Sequence, residues 1–195
     1  KQIRDNASRM AARFTKLGFR VPFGGTDTHL VNLDCKSIVG PDGTPLMGDT
    51  ASRILDLANI VVNRNTIPGD QSALNPSGLR LGTVWISQRG FREADVDAVT
   101  DLISELLLSA KPYSYPKRHG VNTYRAKVDF RTLNDIKVKA RNLSHRMGID
   151  YTPDKYRYPH FYYIDQEPPQ AEHVTLEISG NKAAQFLQTI TSNDV

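Results

Sequence analysis

A chain of 195 residues with 39% apolar side chains can bury the core of one ordinary domain and still carry an appendage. None of its apolar stretches approaches the roughly 20 residues of a membrane span, nothing at the start reads as a signal peptide, and its single cysteine, Cys35, excludes an internal disulfide. The formal charge of +4 is uneven: residues 1–110 carry 12 basic and 12 acidic side chains, residues 111–171 carry 12 and 6, and residues 172–195 carry 1 and 3. A soluble protein of a reducing compartment, by default the cytoplasm, is expected. The chain opens at Lys1 inside a helical pattern and stops at Val195 after another, so we expect it to be part of a longer polypeptide.

Ile3, Ala7, Met10, Phe14 and Leu17 recur at alternating steps of four and three, which predicts a first helix ending at Gly18. Phe19-Arg20-Val21 and Leu30-Val31-Asn32-Leu33 read as short strands, with Gly24-Gly25 as a tight turn between them. Gly40-Pro41-Asp42-Gly43 signals another turn. Asp49 or Thr50 is expected to cap a helix burying Ala51, Ile54, Leu55 and Ala58. Ile60-Val61-Val62 reads as a strand running into the polar turn Asn63-Arg64-Asn65-Thr66-Ile67-Pro68, and residues 79–87 as an alternating strand closed by Gly90. A long helix over 93–110 follows, with acidic residues in its first turn and Val96, Val99, Leu102, Ile103 and Leu106 inward. Residues 1–110 therefore predict an α+β domain with a small, mostly antiparallel sheet and helices packed on it.

Beyond it, residues 111–171 read as a basic, Tyr- and Pro-rich connector with one helix over about 132–147, opened by a Thr132/Asp135 capping box. From residue 172 the pattern changes to a strand, Val174, Leu176 and Ile178, and then a helix carrying Ala183, Phe186, Leu187 and Ile190.

One residue stands out against this background. Arg80 sits in the otherwise apolar strand Ser77-Gly78-Leu79-Arg80-Leu81-Gly82-Thr83, where a guanidinium is costly to bury unless a carboxylate or phosphate meets it. It is a candidate anion receptor. The competing reading is an Arg that reaches solvent or pairs with an Asp of its own fold.

Three motifs now align with a known family. Gly24-Gly25-Thr26-Asp27-Thr28-His29-Leu30, Val62-Asn63-Arg64-Asn65-Thr66-Ile67-Pro68 and Ser77-Gly78-Leu79-Arg80-Leu81-Gly82-Thr83 resemble the GGTDxHL, VNKNxxP and SGxRxGT motifs of serine hydroxymethyltransferases, in order and at near-family spacing. The resemblance covers about residues 1–110 and implies the small carboxy-terminal domain of a fold-type I pyridoxal phosphate enzyme. It implies that Arg80 holds the carboxylate of glycine or serine, that Asn65 touches the folate pterin, and that Arg89 supports the closed active site. Pyridoxal phosphate, on a lysine outside this chain, and tetrahydrofolate as one-carbon carrier come with it, as does a homodimer. No catalytic residue is expected within the chain, which alone should be inactive. Two departures are Val84-Trp85, where the family has Pro-Ala, and a stretch between Pro68 and Ser77 about one residue short.

The chemistry suits the residues. An amino acid bound to pyridoxal phosphate needs its carboxylate fixed so that the breaking bond stands perpendicular to the ring, and a bidentate Arg does this better than a Lys. The stretch from Leu176-Glu177-Ile178-Ser179-Gly180 to Thr191-Ser192-Asn193-Asp194-Val195 is similar to the opening of the glycine cleavage T protein, an aminomethyltransferase. That implies a fusion of two folate-handling modules. Two other functions stay open: a folate-independent pyridoxal phosphate aldolase, and a nucleic-acid or polyanion-binding module through residues 111–171, although nucleic acid is not the expected partner. The five histidines lack metal-ligand spacing, so no metal is expected.

Overall fold

In a computed structural model of the chain, residues 1–116, 122–146 and 177–190 are described. They fall in two compact units, Lys1–Asp150 and Tyr151–Val195. Helix α1 (Gln2–Lys16) turns Ala7, Met10, Ala11 and Phe14 into the core, and strand β1 (Leu30–Asp34) lies against it. Between them only Arg20 bridges to Asp34, because Pro22 starts a single 3₁₀ turn where a strand over 19–21 was expected.

Helix α2 (Gly48–Leu57) buries Ala51, Ile54 and Leu55 as its pattern requires. Its predicted cap differs: Met47 takes the cap position without a side-chain bond, and the Asp49 carboxylate is drawn instead to Arg53 at 3.0 Å and Arg64 at 2.6 Å. Two guanidiniums outbid a backbone N–H for one carboxylate. The helix closes on Asn59, at φ 63°, with the Ile60 N–H on the Leu55 carbonyl. Ile60 is thereby spent on the helix end and Val61 is exposed. The strand forms one step later than its apolar run suggests, as β2 (Asn63–Asn65).

β2 pairs antiparallel with β3 (Gly78–Gly82), which pairs antiparallel with β1, giving the sheet order β1-β3-β2. The strand expected over 79–87 stops at Gly82. The Thr83 hydroxyl reaches the Ile3 carbonyl (2.7 Å) and the His29 carbonyl (3.2 Å), and a short helix α3 (Val84–Gln88) follows, with Trp85 on the surface. Helix α4 (Glu93–Ser109) packs on α1, held by bidentate pairs from Arg9 to Asp97 and from Arg13 to Asp101, the latter at 2.7 Å. The α+β class with a small antiparallel sheet stands.

Residues 111–116 and 122–127 differ from the extended connector expected of them. They form an antiparallel pair, β4 (Lys111–Pro116) and β5 (Asn122–Lys127), a two-stranded ribbon that is all edge and so tolerates Pro112 and Pro116. Helix α5 (Phe130–Arg146) then buries Ile136 and Leu143 in the same core cluster as Ala110 and α4. Its first turn is bound by the Asp129 carboxylate, which takes the Thr132 N–H at 2.8 Å, rather than by a Thr132/Asp135 box. Among the described residues no helix is long and apolar enough to cross a membrane.

In the second unit, helix α6 (Ala183–Ile190) lies where its pattern put it. Of the predicted strand, Val174 and Leu176 lie outside the described residues, as does Pro168-Pro169, and Ile178 lies in no strand.

Candidate functional site

The antiparallel register decides which side chains share a face. Arg80 stands directly opposite Asn32 on one side and Asn63 on the other, whereas Leu79 and Leu81 face the core with Val31 and Leu33. One face of the sheet thus carries Val31, Leu33, Leu79 and Leu81, with Arg64 at its β2 edge, and the other carries Asn32, Asn63, Asn65 and Arg80 together with Leu30 and Asp34. The Arg80 side chain is exposed and makes no hydrogen bond or ion pair among the described residues. The carboxylate nearest in register on that face, Asp34, is buried and committed to Arg20 at 2.6 Å. Pairing of Arg80 with an Asp is set aside among the described residues; the guanidinium reaches solvent instead of being buried in its apolar strand, because Arg80 falls on the strand face opposite Leu79 and Leu81.

Asn65, half-buried, donates from Nδ2 to the Thr66 carbonyl at 2.8 Å and to Asn32 Oδ1 at 3.4 Å. Arg80 and Asn65 are therefore brought to one surface. Asn32 and Asn63 join them, and neither was singled out beforehand. The strand alternation held the signal: Asn32 falls on the face opposite Val31 and Leu33.

The rest of the SGLRLGT run is scaffolding for Arg80. Ser77 is buried, and both its N–H and its hydroxyl go to the Asp70 carboxylate, which also takes the Ile67 N–H at 3.0 Å and Lys36 Nζ at 3.4 Å. Asp70 thus ties the loop after β2 to the start of β3. Burial pushes its carboxyl up, but the bonds from Ser77 and Ile67 and the charge of Lys36 outweigh burial and hold it below the ordinary carboxylate value. The Asp49 carboxyl is likewise raised by burial and lowered further by Arg53 and Arg64.

For carboxyls depressed in the folded state, the stabilisation is complete above the unfolded pKa and fades as pH falls through the folded one. Thermal midpoints should therefore hold from pH 7 to about 5 and drop below about pH 4. Asp70→Asn should cost about 2 kcal/mol at pH 7 and flatten part of that drop, as thermal melts across this pH range will show.

The glycine motif forms the neighbouring wall. Phe23 and Gly24 both have positive φ, 66° and 73°, and Thr26 and Thr28 hydroxyls accept the N–H groups of Thr28 and Leu30, each at 3.1 Å. This loop lines an open cleft of about 540 Å³ whose floor includes Leu30 and Asn32. His29 is exposed and its carbonyl serves Thr83, so its motif position is explained by the backbone.

Arg89, the third predicted site residue, caps α3, and its Nη2 donates to the Ser144 carbonyl (2.7 Å) and hydroxyl (2.9 Å) on α5. Cys35 is fully buried. Its thiol, pushed up to about 12 by burial and then by the Asp34 charge, stays protonated and unreactive.

The comparisons with known proteins bear on this geometry. A family model described as serine hydroxymethyltransferase matches residues 1–103, which include the whole face around Arg80. A serine hydroxymethyltransferase of Caenorhabditis briggsae is 46% identical over 126 residues, covering 65% of this chain and 24% of the relative. A mitochondrial one of Schizosaccharomyces pombe is 46% identical over 126 residues (64% and 25%), and one of Bombyx mori 44% over 107 residues (55% and 22%). The chain spans about a quarter of the length of the curated relatives it matches.

Proposed function

This chain belongs to the serine hydroxymethyltransferase family, and we propose that it supplies the substrate-carboxylate receptor and part of the folate contact of an enzyme interconverting serine and glycine with tetrahydrofolate. The observation that carries this is the state of Arg80: a guanidinium without a side-chain partner among the described residues, flanked in register by the neutral amides of Asn32 and Asn63, with the Asp34 carboxylate of the same face taken by Arg20. Such a fork receives a carboxylate through two parallel hydrogen bonds and fixes its plane. Asn65 offers an amide beside it for the second substrate.

The strand residues of this face include no lysine, so they fit the amino acid's carboxylate rather than pyridoxal phosphate itself, which other parts of the enzyme would hold. When bound, that cofactor supplies an electron sink for the carbanion formed at the amino acid's α-carbon. Arg80 supplies orientation: a fixed carboxylate leaves one choice of which α-carbon bond stands perpendicular to the ring. Arg89, tied to α5 through Ser144, supports the site from outside it by fixing the end of α3, the helix that follows β3.

The homodimer, the cytoplasmic location and the aminomethyltransferase-like module after residue 172 belong to the same proposal. Helix α6 at the position required by Ala183, Phe186 and Leu187 supports the last. The compartment is tested by imaging the tagged protein, since among the relatives one is named mitochondrial and another cytosolic.

The folate-independent aldolase is separated from this reading at Asn65. In the whole enzyme, Asn65→Ala should raise the KM for tetrahydrofolate on the order of 10-fold, the equivalent of about 1.4 kcal/mol, with the KM for serine little changed. Folate-dependent turnover that ignores the substitution would favour the aldolase.

A further inference from the structure

Asn32 and Asn65 come from β1 and β2, on opposite sides of the central strand, and their amides meet above it. The Asn65 amide orientation is determined by two acceptors: its Nδ2 faces both the Thr66 carbonyl and Asn32 Oδ1, and a flipped amide would set oxygen against oxygen. Two groups are then left over. Asn65 Oδ1 is an acceptor, and Asn32 Nδ2 a donor, with no partner among the described residues. Both side chains are half-buried, Asn32 also forms part of the cleft beside the 22–30 loop, and its cross-strand neighbour is Arg80.

From this juxtaposition we propose that Asn32 is a binding and positioning residue of the site: it orients Asn65 and, with it, presents a donor next to an acceptor that reads the –NH–C(=O)– edge of a cyclic amide, while Arg80 alongside takes the carboxylate. The inference rests on the functional reading above and adds to it a residue and the ligand edge it reads. A site built of paired hydrogen-bonding groups discriminates strongly against a ligand lacking the matching edge, because its own polar groups are then left unpaired.

The side chain's neutrality is the second half of the argument. Directly opposite residues on one sheet face have Cβ atoms about 5 Å apart. An aspartate at position 32 would therefore sit within reach of the Arg80 guanidinium and compete with the substrate for it. Asparagine keeps the polar function and leaves the receptor open.

Two substitutions in the whole enzyme separate these roles, with glycine and a reduced folate titrated independently by calorimetry and the fold followed by thermal melting. Asn32→Leu should weaken the folate on the order of 10-fold and leave glycine within about 2-fold, since only the amide pair is lost. Asn32→Asp should weaken glycine on the order of 10-fold or more at pH 8. A purely structural role would not give this opposite split between the two ligands.

If both variants bind both ligands as the parent does, or lose both in parallel, the proposal is overturned while the functional reading stands. Failure of that reading has its own signature: a parent enzyme that takes up neither ligand, or glycine affinity unchanged by Arg80→Ala.

Discussion

Arg80→Ala in the whole enzyme is expected to raise the Kd for glycine and for serine by about 3 kcal/mol, on the order of 100-fold, with no matching loss of stability. The two halves of this expectation have the same origin. The Arg80 side chain is exposed and donates to nothing among the described residues, so its removal leaves no buried group unpaired and should shift the unfolding free energy by less than about 0.5 kcal/mol. Its entire contribution is then to the ligand. Arg80→Lys keeps the charge but loses the planar two-pronged geometry, and should recover only part of the affinity, about 10-fold below the parent. Calorimetric titration with glycine, alongside thermal melting, checks all three numbers. Near-parental affinity in Arg80→Ala would remove the carboxylate receptor from the account.

A large effect on stability is expected at Gly48, the first residue of α2. Alanine at an exposed helical position is ordinarily better than glycine by up to about 1 kcal/mol. Here the sign reverses. A Cβ on Gly48 would stand 2.2 Å from the Gly78 carbonyl oxygen and 3.0 Å from that of Pro76, and main-chain atoms of a paired strand cannot step aside as a flexible side chain can. The Gly48 N–H is also bonded to the Pro76 carbonyl at 2.9 Å, which holds helix and strand at this close approach.

Overpacking of this kind costs about 2–3 kcal/mol, and because Gly78 begins the strand that carries Arg80, glycine affinity should fall with it. Gly82→Ala, in the same motif, is the internal control: its Cβ would meet only Leu30 Cδ2, at an ordinary 3.6 Å, and stability should change little. Denaturant unfolding of the two variants in the whole protein measures the contrast. Equal midpoints would mean that α2 does not rest on β3 as closely as described.

The sequence errors share a cause. Asp49 reads as a cap because local pattern favours it, but Arg64, fifteen residues on, claims it instead. Ile60-Val61-Val62 reads as a strand from its β-branched run, but Asn59 ends α2 in a left-handed turn that uses Ile60 and exposes Val61. Residues 111–127 read as a connector because their prolines and charges look irregular. Residues 111–116 and 122–127 nevertheless pair in a regular antiparallel ribbon, with Lys127 lying 5.9 Å over the Tyr113 ring. In each case a contact made by the fold, whether an ion pair, a helix-ending turn or a paired strand, supplied more than the apolar or polar pattern alone could show.

What the amino-acid sequence determined by itself was the helix faces of α1, α2 and α4, the antiparallel α+β class, and Arg80 as a charge without a local reason for being in its strand. Periodicity of apolar side chains is local and survives without knowledge of the fold. The tertiary structure alone decided that Arg80 has no counter-ion among the described residues, since only the strand register shows Asp34 turned to Arg20 and amides on either side of the guanidinium. It also decided that Asn32 belongs beside Asn65, thirty-three residues away, because the shortest path between them runs across β3 rather than along the chain. A site made at a sheet face depends on register, and register is set by long-range pairing of strands that no single stretch of sequence contains.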